Sequence, residues 1–372
     1  MNDRYKICTR CVMDTSDPSI TFSEKGICNH CEAYEKAFRT KTFFGVQQVG
    51  TWEEIFENIK VRGQRKPYDC VIGLSGGVDS SYLAYFVKTN GLRPLAIHVD
   101  NGWNSELAVS NIENICKKLE IDLRTNVLAW REFRDIQIAF LKASTPDAEI
   151  PSDHAIVATL YMESRKHGVP VLAGYNARTE SHMPAAWSQG YFDARYIKAI
   201  HRRFGAKVMH TFPTINWWQA QKYVRNLCNV LNYIDYNKKD AMEVVTRELG
   251  WRNYGKKHSE SLYTKFFQEC YLPQKFGFDK RRSHFSSLVA AGEITREAAL
   301  LEMGHPPCSP NESAVMLEYV LKKLEITRDE YRRIEAAPAR RFEDYPSYEK
   351  LQRSFMGHVV RDVYRGSLKR WL

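Results

Sequence analysis

Ser75-Gly76-Gly77-Val78-Asp79-Ser80-Ser81 follows the apolar run Cys70-Val71-Ile72-Gly73-Leu74 and opens a helical stretch. Glycines let a backbone pass close to phosphate oxygens, and serine hydroxyls donate hydrogen bonds to them. The helix start adds free N–H groups and a partial positive charge. Asp79 is the odd member, because a carboxylate beside phosphates repels them unless a cation intervenes, so it is assigned a magnesium contact. The alternative is a glycine-rich strand-to-helix turn without a ligand. No Gly-Lys-Ser/Thr ending follows, which disfavours an ordinary γ-phosphate-transferring P-loop.

A second group is Cys8-x2-Cys11 and Cys28-x2-Cys31, separated by 16 residues. Each pair places two sulfurs on one side of a turn, and two such turns complete a tetrahedron suited to structural Zn2+. His30 could in principle replace one thiolate. The other cysteines (Cys70, Cys116, Cys228, Cys270, Cys308) are widely spaced and read as solitary thiols.

The elements that must position these groups alternate as in a parallel α/β sheet. Strands are expected at 69–74, 94–99, 122–128 and 170–173, with a weaker fifth at 207–212. Helices are expected at 52–64, 80–88, 107–119 and 154–167, and from about Trp217 the strands stop. Helical patterns then occupy 220–231, 239–249, 259–269, 296–302 and 313–324, with a further candidate at 345–358. The expected fold is a doubly wound parallel sheet with a zinc-ribbon-like module at 1–45, an ATP-binding domain at 46–216 and a helical region at 217–372.

Of 372 residues, 44% are hydrophobic and 26% charged, the balance of a soluble globular protein. No apolar run of 18 or more residues appears and the polar start lacks a signal-peptide core, so a cytoplasmic location is expected, without a membrane. The net charge of +10 is spread along the chain, with local concentrations at Lys275–Arg282 and Arg328–Arg341. It fits nucleic acid, an acidic membrane surface or anionic small molecules, and most of it reads as solvated surface.

The heptad resembles the SGGxDS motif of N-type ATP pyrophosphatases, which implies ATP, Mg2+ and cleavage between the α- and β-phosphates. His98-Val99-Asp100-Asn101-Gly102 looks like a GMP synthetase segment near the nucleotide, and a strand-end turn is its alternative. Gly174-Tyr175-Asn176-Ala177-Arg178-Thr179-Glu180 is similar to an NAD synthetase pattern in which the glutamate binds magnesium. By those matches Asp100, Asn101 and Gly174 join the nucleotide site, and Glu180 is the second magnesium candidate.

The chain as a whole resembles the N-acetyl sugar amidotransferase family of bacterial surface-polysaccharide and flagellar sugar pathways. Cys8 to Pro18, Gly26 to Cys31, the heptad, Pro151 to Ile156, Lys265 to Gln268 and Pro273 to Arg282 carry the resemblance, over about residues 5–300. It implies ATP-dependent conversion of a sugar N-acetamido group to an acetamidino group, on an anionic sugar substrate. Candidate neutralisers of pyrophosphate charge are Lys265, Lys275, Lys280, Arg281 and Arg282, each with a solvated surface role as the alternative. Asp153 and His154, at a helix start, could orient the substrate or relay a proton, with an N-cap as the alternative for Asp153. No glutaminase nucleophile is recognised, since Asn2 follows Met1 and no later cysteine lies in a glycine-rich elbow. A separate glutaminase subunit is therefore expected, with or without a cyclase-like barrel. The rival expectations are a tRNA-modifying enzyme and a non-catalytic nucleotide sensor. Solitary cysteines count against sulfur transfer, and the intact heptad counts against the sensor.

Overall fold

The computed structural model describes residues 5–41, 51–255 and 260–348. The chain begins with a cysteine-bearing knuckle that runs into α1 (Asn29–Lys41), and α2 (Trp52–Gly63) then leads to the sheet. The sheet segment runs β1 (Cys70–Gly73), α3 (Val78–Thr89), β2 (Pro94–Asp100), α4 (Glu106–Leu119), β3 (Asp122–Val127), α5 (Trp130–Ala143), α6 (Ile150–His167) and β4 (Val171–Leu172). It continues with α7 (Ala177–Glu180), α8 (Ala194–Phe204), α9 (Trp217–Arg225), β5 (Leu227–Cys228) and α10 (Lys238–Leu249). The remaining helices are α11 (Leu262–Phe266), a π-helical turn (Phe267–Tyr271), α12 (Leu272–Phe276), α13 (Arg281–Ala290), α14 (Arg296–Gly304), α15 (Pro310–Leu324) and α16 (Arg328–Ala336).

The five strands are parallel in the order β3-β2-β1-β4-β5. Side-chain alternation gives the inner strands two buried faces. Ile72 and Ala96 pack with Leu83, Ile112 and Val245 on one face. Val71, Leu95 and Ile97 pack with Val157, Leu160 and Tyr223 on the other. Strand order reverses between β1 and β4, and the crevice at their carboxyl ends is where open α/β sheets take ligands.

Four of the expected strands are present, but the fifth is not at 207–212. Glu132 accepts hydrogen bonds from the N–H groups of His210, Thr211 and Phe212, and Asp135 from those of Ala206 and Lys207. Those donors are thereby committed to the carboxylates of α5 and not to a neighbouring strand. The fifth strand is Leu227–Cys228, inside the stretch read as a helix at 220–231. The helix stops at Arg225, and the Asn226 carbonyl accepts the Val171 N–H at 2.9 Å. The Asn226 side chain donates to Ser164 Oγ and the Val169 carbonyl. The expected boundary at 216/217 therefore cuts across the sheet, and α10 packs on α3 beyond it.

Helices α5, α8 and α13 are among those with no counterpart in the sequence expectation, as are α1 and α16. The N-terminal residues Ala129 of α5 and Lys280 of α13 supply no side-chain cap, so the usual start signal is missing. The candidate helix at 345–358 lies mostly outside the described residues. Helix α6 begins at Ile150, so Asp153 lies in its first turn and is not its N-cap.

Gly76 has a φ of +83°, and an added Cβ would meet the Ala108 carbonyl oxygen at 2.6 Å. Gly76→Ala is expected to cost about 2 kcal/mol or more, from the left-handed backbone and the clash with main chain. Urea unfolding measures this, and an unchanged midpoint would contradict the tight loop packing.

Candidate active site

The loop after β1 is held from three sides. Ser81 Oγ donates to the Gly77 carbonyl at 2.7 Å, and the Trp251 indole donates to the Gly76 carbonyl at 2.8 Å. The Ser75 and Ser80 hydroxyls lie 3.2 Å apart, and the Gly77 N–H donates to Ser75 Oγ. Gly174, at the end of β4, sits so close that a Cβ there would lie 3.2 Å from the Asp79 carbonyl oxygen and 3.3 Å from the Ser80 nitrogen. Gly174 thus serves close loop packing.

Asp79 is in the first turn of α3, and the Tyr236 hydroxyl donates to its Oδ1. Burial, followed by the Asp79 charge, drives the Tyr236 hydroxyl strongly upward, so it stays protonated as that donor. Asp79 and Glu180 both line a 290 Å³ recess beside the loop, with Ser75, Ser80, Lys238 and Tyr254. Two carboxylates beside a phosphate-sized cradle are a donor set suited to a hard divalent cation.

The recess adjoins a 1080 Å³ cavity that shares Ser75, Tyr175, Glu180, Lys238 and Glu260 with it. Lys265, Lys280, Arg281 and Asp153 all line the cavity. Lys280 pairs with Glu149 at 3.1 Å, and Gln268 Nε2 donates to the same carboxylate at 2.9 Å. Burial pushes the Asp147 carboxyl up to about 6. Asp153 is also raised, first by burial and then by the Asp147 and Glu149 charges. Lys280 is raised despite its burial because Glu149, Asp147 and Asp153 surround it. Arg281 makes a two-oxygen contact with Asp279 and also donates to the His305 carbonyl.

Asn101 lines the cavity and donates to Ser152 Oγ at 3.2 Å. Asp100 instead accepts the Gly102 N–H at 2.8 Å and the Asn104 amide at 3.2 Å, so it shapes the turn and is not among the cavity residues. His98 lines the cavity, with Nδ1 against the Leu74 carbonyl and Nε2 facing the Asn104 amide.

Two other candidates lie away from the cavity. Lys275 Nζ donates to the carbonyls of Ile334, Glu335 and Ala337 and so caps the end of α16. Arg282 donates to the Val12 carbonyl and pairs with Asp14 at 2.9 Å, which fixes the knuckle to α13. Sequence reasoning missed Lys238, Asp147, Glu149 and Glu260. A carboxylate-rich Asp147-Ala148-Glu149 immediately before a helix was the available signal for two of them.

Cys8, Cys11, Cys28 and Cys31 are fully buried, with all four sulfurs within 4.8 Å of one another. Cys8 Sγ accepts the Cys28 N–H at 3.2 Å and Cys11 Sγ the Met13 N–H at 3.4 Å. Such main-chain donors stabilise thiolates, so the donor set fits Zn2+. His30 is not among the clustered ligands, because its Nε2 lies 2.6 Å from Asp17. Arg296 donates to the Cys8 and Cys11 carbonyls, tying the knuckle to α14. Cys270 and Cys308 are not solitary, since their sulfurs lie 3.3 Å apart.

His154 is fully buried among main-chain partners and does not reach the cavity. Its Nδ1 donates to the Tyr191 carbonyl at 2.7 Å, and its Nε2 accepts the Ile215 N–H at 3.2 Å. Burial pushes its imidazole down from 6.5 to about 4. The unfolded chain therefore binds a proton that the fold refuses across this window, and stability falls as pH drops from 6.5 towards 4. The loss is on the order of 3 kcal/mol. His154→Asn is expected to flatten that part of the unfolding free-energy profile; an unchanged slope would contradict the assignment.

Comparison with known proteins places residues 260–358 in the family described as LPS biosynthesis protein WbpG-like, C-terminal domain. The tRNA-specific 2-thiouridylase MnmA of Clostridioides difficile (strain 630) is 26% identical over 221 residues, covering 53% of this chain and 60% of the relative. MnmA of Mesomycoplasma hyopneumoniae (strain 7448) is 27% identical over 199 residues, covering 46% of this chain and 52% of the relative. The chain thus spans little more than half the length of these curated relatives. Among solved structures, NH3-dependent NAD synthetase from Campylobacter jejuni subsp. jejuni NCTC 11168 matches at 14% identity and a TM-score of 0.30, over 78% of this chain and 99% of that one. NMN synthetase from Francisella tularensis matches at 18% identity and a TM-score of 0.28, over 59% and 93%. Residues 260–358, about a quarter of the chain, are thus similar to the C-terminal domain of WbpG-like LPS biosynthesis proteins.

Proposed function

We propose that this protein is an ATP-dependent amidotransferase that converts a sugar N-acetamido group to an acetamidino group in surface-glycan biosynthesis. One observation carries the reading: the phosphate loop opens into a cavity whose opposite wall is built from the WbpG-like segment, including Lys265, Gln268, Lys280 and Arg281. A substrate bound to that wall faces an ATP held by the loop.

An amide oxygen is a poor leaving group and must first be activated. Its attack on the α-phosphate of ATP gives an O-adenylyl imidate and releases pyrophosphate. Ammonia then adds at the imidate carbon, and AMP leaves as the amidine forms. Ser75, Ser80 and the N-terminus of α3 hold the departing pyrophosphate, while Lys238 and Lys265 neutralise its charge. Asp79 and Glu180 would hold Mg2+, which would supply further neutralisation of phosphate charge. Asp153, which lines the cavity, orients the substrate or relays a proton. Cys8, Cys11, Cys28 and Cys31 would hold Zn2+ in a structural role. The ammonia comes from a separate glutaminase subunit, and positioning within the cavity supplies much of the rate.

A second reading, a tRNA-modifying enzyme, is favoured by the likeness to two 2-thiouridylases and by the Cys270–Cys308 proximity. Pyrophosphate release from ATP with Mg2+ and ammonium separates the two readings. Release is expected with N-acetylated uronate nucleotide sugars or nonulosonates, and not with bulk tRNA. Asp79→Ala is expected to lower it by at least about a hundredfold, the scale of a lost electrostatic contact at a phosphoryl centre. Release with tRNA alone would overturn the sugar reading.

A further inference from the structure

Cys270 and Cys308 are 38 residues apart in sequence, yet their sulfurs are 3.3 Å apart. Cys270 belongs to a segment that lines the cavity, and Cys308 to one that contacts the lining residue Arg281. Cys270 is in the π-helical turn whose Gln268 and Glu269 line the cavity wall. Cys308 lies between α14 and α15, three residues after His305, whose carbonyl accepts from Arg281. Its thiol also donates to the Glu269 carbonyl at 3.6 Å. A π turn carries an extra residue, and such turns recur at functional sites because they are locally less regular than α-helix.

We propose that Cys270 and Cys308 form a reversible thiol–disulfide site that takes small-molecule disulfides of the glutathione class and, when oxidised, staples the cavity-lining π turn to the 305–309 segment. The two thiols differ in access. Cys308 is partly exposed, whereas Cys270 is buried, and that burial pushes its thiol up to about 12. Cys308 is therefore the residue that meets an incoming disulfide and Cys270 the one that resolves it. The Cys308 thiolate attacks one sulfur of the small disulfide. That S–S bond breaks and a mixed disulfide forms, while the departing thiolate takes a proton from solvent. The Cys270 thiolate then attacks Cys308 Sγ and expels the second small thiol. The protein loses two protons and two electrons, and one small disulfide becomes two thiols.

Closing the bond requires the sulfurs to approach from 3.3 Å to about 2.0 Å. The short shift falls on the π turn, and through it on Gln268, which donates to Glu149. The site does not depend on whether the cavity takes a sugar or an RNA, so its test needs no turnover.

The full-length, zinc-loaded protein is equilibrated with oxidised glutathione, and its free thiols are mapped by alkylation and peptide mass. The expected product is a Cys270–Cys308 cross-linked peptide, reversed by dithiothreitol. Cys270→Ser is expected to stall with glutathione on Cys308, and Cys308→Ser to leave Cys270 free. Hydrogen exchange across residues 267–271 is expected to slow roughly tenfold on oxidation of the wild-type chain. Alkylation of both thiols after oxidation, or a cross-link that leaves this exchange unchanged, would overturn the proposal.

Discussion

The phosphate loop can bring its own carboxylate to a phosphate-sized recess only because that carboxylate is fixed and countered. Tyr236 donates to Asp79, Gly174 packs against the Asp79 main chain, and Trp251 holds the Gly76 carbonyl. Those three partners come from the β5–α10 connection, the end of β4 and the segment after α10. Most of the sheet must therefore be assembled before the loop takes its shape. The reversal of strand order between β1 and β4 creates the crevice that these contacts line.

The second organising feature is that the carboxy-terminal helices are not an appendage. They supply one wall of the cavity and also clamp the knuckle, through Arg282 on α13 and Arg296 on α14. Lys323 on α15 donates to the Gly102 carbonyl and lies over the rings of Trp103 and Trp130. That contact joins the turn carrying Asn101 to α15. The four-cysteine knuckle is thus linked by packing to the helices that hold Lys280 and Arg281.

The parts legible in the sequence were those with local signatures. The heptad after an apolar run and the paired CxxC turns need only their own neighbours to be recognised, and both sit where their spacing implied. Charged residues were harder, because a lysine's role depends on what faces it. Lys275 and Lys280 are five positions apart, yet one caps α16 and the other enters a buried acidic cluster. His154 adjoins Asp153, but the helix turns it towards the Tyr191 and Ile215 main chain, away from the cavity. The false strand at 207–212 had suitable residue types, and only the distant carboxylates of Glu132 and Asp135 decided otherwise. The proximity of Cys270 and Cys308 depends on tertiary packing and has no local signal.

In the proposed reaction the substrate's amide oxygen is adenylated and leaves with AMP. This is tested most directly with an acetamido sugar carrying 18O in its carbonyl, incubated with ATP, Mg2+ and ammonium. The label is expected in AMP, with none in pyrophosphate and nitrogen in its place in the sugar product. Unlabelled AMP, with 18O retained in the sugar or lost to water, would contradict it.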